Sequence, residues 1–135
     1  MKRTSVLDSF ALLAYLKKEV GYLRVKDVLA SHEKGDEGVM MNEVNVGEVY
    51  YILARERSSA AAEHFIQDIL PALPIAPASN SFSDVIAAAK IKAQFRIAYA
   101  DAFAVATAAK HSAVLITGDP DFKQIEHLVE VDWLA

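Results

Sequence analysis

The sequence has 135 residues, 14 basic against 18 acidic side chains, a net charge of −4 and no cysteine. That length fits one domain, 1–135, burying about two-thirds of the surface its unfolded chain would expose, and the lack of cysteine excludes a disulfide scaffold, thiolate zinc and thiol nucleophiles and agrees with a reducing cytoplasm. The acidic balance argues against a protein that coats nucleic acid through a general positive field, but not against a nucleic-acid enzyme whose acids gather around a cation.

Along the chain, short β-branched runs alternate with helical patterns, the signature of an α/β fold. The opening, "MKRTSVLDSFALLAYLKKEV", mimics a secretory leader in its basic start, but Asp8 interrupts the apolar run and no small-x-small cleavage pattern follows, so it reads as folded chain. Thr4 to Asp8 is a first strand. "SFALLAYLKKE" is the helix after it, with Leu12, Leu13, Tyr15 and Leu16 at helical spacing, and a second helix covers Tyr22 to His32. "EGVMMN" is a second strand, Asn42 an N-cap, and "EVNVGEVYYILARER" the next helix. Another helix runs from Ser59 to Leu70. "LPIAP" follows as a third strand and "SFSDVIAAAKIKAQF" as a helix opened by a serine cap. The Ala-rich "YADAFAVATAAKHS" yields one more helix from near Asp101, "AVLITGD" is the strongest strand, and "VEVDWL" closes the chain as an edge strand. No segment approaches the ~18 unbroken apolar residues of a membrane span.

In an open parallel sheet ligands bind beyond the carboxyl ends of the strands. Asp8 and Asp119 each follow an apolar strand run directly. Glu48 lies inside a helix on a mostly apolar stripe with Val44, Asn45, Tyr51 and Ile52 as its turn neighbours, and Asp101 sits among Ala98, Ala104 and Val105. Four acids thus point toward one end of a sheet. Each also has a purely structural use. Asp8 can cap the helix from Ser9, Asp101 the helix from Ala102, and Asp119 with Asp121 suits a turn. Glu48 has the weakest such use, because a buried glutamate without a basic neighbour costs several kcal/mol. Glu43 needs no site, since a first-turn carboxylate already favours the helix dipole. Converging carboxylates repel one another unless a cation or a proton intervenes, and oxygen ligands suit Mg2+ or Mn2+. His32, His64, His111 and His127 are scattered and read mostly as solvated surface. Nucleotide-cradle and hydrolase-elbow motifs are absent.

The stretches "VLDSFALLAYL", "NEVNVGEVYYIL", "YADAFAVATAAKHSAVLITGDPDF" and "VEVDWL" together resemble the PIN-domain ribonucleases, and among them the VapC-like toxins of prokaryotic toxin–antitoxin pairs. The resemblance covers nearly the whole chain. It implies a PIN-like α/β domain with a central, mainly parallel sheet flanked by helices on both faces, and a metal site made of Asp8, Glu48, Asp101 and Asp119, with Asp8 and Asp101 as first choices for direct ligands. Thr117 and Ser9 match hydroxyls beside these acids. Phe10 departs from the pattern, standing where many relatives carry a second Ser or Thr, and Asp121 either caps the segment of Phe122 or contributes through water to a second ion. The implied chemistry is metal-assisted hydrolysis of RNA phosphodiesters. Lys92 and Arg96, one helical turn apart with Lys90 nearby, are the candidate phosphate partners.

Two other readings stand beside this one. A receiver-type signalling domain is also a small acidic α/β unit, but its acidic pair, phosphoacceptor and lysine are not placed so here. A PIN-like interaction module with decayed chemistry is the other. Tyr15, Tyr22, Tyr50, Tyr51 and Phe65 give the helices more aromatic surface than one core readily absorbs, which predicts an apolar groove and a homodimer face. The toxin resemblance implies an antitoxin segment in that groove, sending a basic side chain toward the acids.

Overall fold

The computed structural model describes residues 3–134; Met1 and Lys2 of the basic opening lie outside them. Strands β1 (Ser5–Leu7), β2 (Val39–Asn42), β3 (Ala76–Ala78), β4 (Val114–Thr117) and β5 (Val131–Trp133) form one sheet in the order β3-β2-β1-β4-β5. Every pairing is parallel, with Val6 beside Met40 and Leu115, and Leu7 beside Ile116. "VEVDWL" supplies one edge strand. The other edge lies a little later than "LPIAP", since Leu73 ends a helical turn and pairing begins at Ala76.

The period-two alternation of the strands explains the cover on both faces. Val6 and Leu115 point into a cluster with Phe103, Ala104 and Val105 of α6 (Tyr99–Lys110), against which α5 (Phe82–Gln94) also packs. Leu7 and Ile116 point the other way, against Ala11 of α1 (Ser9–Lys17) and Val25 of α2 (Tyr22–Ala30). Met41 packs with Leu12, Val49 of α3 (Glu43–Glu56) and Ala62 of α4 (Ser59–His64). The helix expected from Ser59 to Leu70 is α-helical only to His64; it widens into a π turn over Phe65–Ile69 and tightens into a 3-10 turn over Leu70–Ala72.

Capping residues mark where strands give way to helices. Asn42 Oδ1 accepts from the Val44 N–H at the start of α3, and Ser81 with Asp84 forms a capping box at the start of α5. Asn42 also donates to Asn80 and to the buried Thr107 Oγ1, tying the end of β2 to α6.

Two expectations change. Phe65 is fully buried, Tyr15 packs beside Tyr22 at 6.1 Å and the Tyr50 hydroxyl donates to Glu63, so of those five aromatics Tyr51 is the exposed one, and the open aromatic surface lies instead on Tyr51, Phe10, Phe82 and Tyr99. His32 is not solvated: its ring lies against Gly38 and faces Asp36 across 3.2 Å, because the loop from α2 to β2 folds back over it.

Candidate active site

The chain moves from β1 outward through β2 and β3, then returns to the other side of β1 with β4 and β5. The order therefore reverses between β1 and β4, the place where an open parallel sheet leaves a crevice at its carboxyl edge. Asp8 follows β1 and Asp119 follows β4 after one glycine. Glu48 is in the second turn of α3, and Asp101 is in the first turn of α6, which runs back from that edge toward the start of β4.

Asp8 does two jobs. It caps α1, its Oδ1 accepting from the Ala11 N–H at 2.8 Å, and its Oδ2 accepts from the Thr117 hydroxyl at 2.5 Å. Only 1% exposed, it is pushed up from the ordinary carboxyl value to about 7, first by burial and further by the charges of Asp101 and Asp119; the bonds from Thr117 and Ala11 oppose the shift.

Asp101 is not the N-cap. Ala98 holds that position with extended backbone and no side-chain cap, so α6 begins at Tyr99, three residues ahead of the start expected from the sequence. A carboxylate at the third helical position is not needed to start the helix. Its environment is costly: 7% exposed, Asp101 is pushed up to about 7 by burial, then by the charges of Asp119, Glu48 and Asp121, with the Ala98 backbone amide pulling the other way. Asp8 feels the charges of Asp101 and Asp119, and Asp101 those of Asp119, Glu48 and Asp121, so the fold holds these acids in one neighbourhood against their repulsion.

Two atoms there lack partners. Glu48 Oε1 and Asn45 Oδ1 are buried and accept no hydrogen bond. Asn45, one turn before Glu48 on α3, is fully buried and donates from Nδ2 to the Ala100 carbonyl at 3.0 Å, which fastens α3 to the first turn of α6. In the sequence Asn45 stands out only as a neighbour of Glu48; a polar residue on the inward stripe is the available signal. Orphaned acceptors of this kind cost free energy that a donor or a cation would recover.

Asp119 caps the 3-10 turn Pro120–Ile125, its Oδ1 accepting from the Asp121 N–H at 2.9 Å, while its own N–H donates to Thr117 Oγ1 at 3.0 Å. Ser9 is buried at the first position of α1, and Asp121 is exposed. Lys92, on α5, and Arg96, in the loop before α6, are exposed and enter none of the ion pairs among the described residues. Gln124 anchors that loop. It accepts from the Arg96 N–H and donates to the carbonyls of Arg96 and Asp121, so a basic loop is bolted to the acidic turn. No sequence signal marks Gln124.

The donor chemistry fits a hard divalent cation: carboxylate and amide oxygens, two of them buried without partners, and no thiolate. Among the described residues, no three acidic or histidine side chains are drawn together tightly enough to hold an ion. The acids share a field without closing into a cage.

The family model for the PIN domain matches residues 5–128. No curated protein sequence matches. Among solved structures, the chain is similar to DNA-bound VapBC from Salmonella typhimurium (TM-score 0.74, 12% identity, covering 98% of this chain and 99% of that one). It is also similar to FitAcB from Neisseria gonorrhoeae (TM-score 0.65, 25% identity, 95% and 96% covered) and to Mycobacterium tuberculosis VapC20, described as a sarcin–ricin loop cleaving toxin (TM-score 0.70, 17% identity, 90% and 94% covered).

Proposed function

The chain belongs to the PIN-domain family, and on that footing we propose that it is an endoribonuclease dependent on Mg2+ or Mn2+, the toxin half of a toxin–antitoxin pair. The observation that carries this reading is the set of four carboxylates at the sheet's reversal point, two of them held up at about 7 and a third, Glu48, with a buried oxygen left unpartnered. Folding gains nothing from such repulsion. Its use is to bind positive charge.

In this reading Asp8 and Asp101 would hold the cation directly, and Glu48 and Asp119 would hold it directly or through water. When bound, the cation supplies Lewis acidity, activating water for in-line attack at phosphorus and offsetting charge on the leaving oxygen. Thr117 keeps Asp8 Oδ2 aimed and, through the same hydroxyl, fixes the turn that carries Asp119. Protons held by Asp8 and Asp101 at neutral pH must leave before their oxygens can ligate, so binding tightens as pH rises. Arg96 and Lys92 hold substrate phosphates at the rim, with Gln124 setting the position of the Arg96 loop.

The partner follows from the same premise. Several of the similar structures are toxin–antitoxin complexes, and we assign an antitoxin protein and a second copy of this chain as partners, in the cytoplasm. No helix among the described residues is long and apolar enough to cross a membrane.

A decayed interaction module is the second reading, favoured by the open spacing of the acids. One experiment separates the two. Purified protein with Mg2+ or Mn2+ should cut RNA, EDTA should stop it, and Asp8→Asn or Asp101→Asn should lower the rate at least ~100-fold, the scale on which losing a key electrostatic stabiliser acts. No cleavage by the wild type with either ion, or undiminished cleavage by both variants, removes the nuclease assignment.

A further inference from the structure

Phe10 departs from the Ser or Thr that the family resemblance leads one to expect, and its position gives the departure a use. It is the second residue of α1, two places beyond Asp8, and its ring reaches across to the turn that carries Asp119. A Cβ on Gly118 would lie 2.3 Å from ring Cε1 and 2.8 Å from Cζ. Gly118 does not have a left-handed backbone, so what favours glycine there is room for this ring. One side of Phe10 is thus seated between the two strand ends, yet the residue stays 42% exposed. An open aromatic surface lies beside Asp8 and Asp119 at the start of α1.

Charge decides what suits it. The four acids repel a bare phosphate; Arg96 and Lys92, the groups assigned to phosphate, lie on the loop and helix leading into α6, and Lys123 is exposed on the turn after Asp119. The uncharged, flat part of an RNA is its base. Stacking of a base on an aromatic side chain tolerates any base identity and requires only that the base be unpaired.

We propose that Phe10 is a stacking platform for an unpaired base adjoining the cleaved phosphodiester, so that the substrate is single-stranded at the cut. This rests on the ribonuclease reading and adds to it the residue that receives the base beside the cut. Phe10 acts by positioning; the four acids remain the catalytic groups. The pairing with Gly118 gives a second handle, since Gly118→Ala drives the ring from its seat while leaving Phe10 in the chain.

The test uses full-length protein and a short single-stranded RNA, with Phe10→Leu, which keeps apolar bulk, and Phe10→Tyr, which keeps the ring. Phe10→Leu should raise KM about 10-fold with kcat within about 2-fold of wild type, and Phe10→Tyr should restore KM. An abasic ribose beside the cut should cost the wild type about 10-fold and Phe10→Leu almost nothing more. Gly118→Ala should mimic Phe10→Leu, and the two together should cost no more than one. Binding is read separately: 2-aminopurine placed in the RNA should be quenched by cation-free wild type and by Phe10→Tyr, but not by Phe10→Leu.

Equal KM and equal quenching for Phe10→Leu and wild type overturn the platform, as does an abasic penalty of the same size in both. So does a Phe10→Leu protein that loses only its affinity for the antitoxin, which would make the ring a protein contact. If the wild type cuts no RNA but quenches through Phe10, the nuclease reading fails, and with it the placement beside a cut, while base stacking on Phe10 stands. If it cuts RNA with no dependence on Phe10, the platform fails and the nuclease reading stands.

Discussion

The Thr117 hydroxyl donates to Asp8 Oδ2 although 109 residues separate them. They meet because β1 pairs with β4, Leu7 lying beside Ile116. The same oxygen accepts the Asp119 N–H, so one buried hydroxyl sets the orientation of two acids from different loops.

Replacing Thr117 by Val keeps the shape and removes both bonds. Asp8 loses a group that holds its carboxyl down, and the Asp119 N–H loses its acceptor. We expect a stability loss of about 1–3 kcal/mol by chemical denaturation. Activity at pH 7 should fall about 10-fold and recover in part near pH 9, as Asp8 ionises late. Thr117→Ser should behave like wild type; a Val variant with unchanged activity and stability would show that the hydroxyl orients nothing.

Metal-free stability should fall as pH rises. Asp8 and Asp101 carry an ordinary value of 3.8 in the unfolded chain and about 7 in the folded protein. Between these values the folded state binds more protons than the unfolded state, so protons stabilise it. Their contribution is fully present below about pH 4 and is lost by about pH 8, a change of up to a few kcal/mol shared between two coupled groups. Asp36 and Asp84 are shifted downward and act in the opposite sense, but below this window. Thermal melts in EDTA at pH 5 and pH 8 read the slope, and Asp101→Asn should flatten its share and melt higher than wild type at pH 8. A wild type more stable at pH 8 than at pH 5 contradicts this account.

Added cation should act the other way. At ~10 mM Mg2+ against a dissociation constant of about 1 mM, mass action stabilises the wild type by roughly 1.4 kcal/mol, a melting shift of about 3–6 °C for a domain of this size. Asp101→Asn should lose most of that shift. Differential scanning calorimetry at pH 8, with and without Mg2+, gives both values; equal shifts in the two proteins would place the binding elsewhere.

Gln124→Ala should act on substrate binding rather than on chemistry. Without the amide, the three hydrogen bonds that tie the Arg96 loop to the turn of Asp121 are lost, and only apolar contacts such as Phe95 on His127 and Ile97 beside Phe122 still hold it. We expect KM to rise about 3- to 10-fold with kcat nearly unchanged, a weaker salt dependence of KM, and little added loss when Arg96→Ala is combined with it. Full additivity of the two substitutions would separate Gln124 from Arg96.

Much of this architecture is legible along the chain because its signals are local. An apolar run that stops at an acid marks Asp8 and Asp119, and caps within a few residues mark Asn42 and Ser81. Glu48 is conspicuous through the lack of a basic partner within a turn. The alternating strands, each pointing side chains to two covered faces, carry the α/β class itself.

Other features depend on residues that meet only after the chain has crossed itself. Asp101 resembles a cap in the sequence because local propensity cannot tell where α6 begins; packing of α6 against α5 and the sheet carries the helix back to Tyr99 and leaves Asp101 as an acid surrounded by acids. The clamp made by Gln124 and the enclosed ring of His32 have no pattern of their own, since each is defined by what faces it, and Asn45 shows only as a polar residue on an inward stripe. The pKa values follow the same rule. Composition supplies the carboxylates, but the cost of ionising them is set by burial and by distances to other charges, and those exist only once β1 and β4 lie side by side.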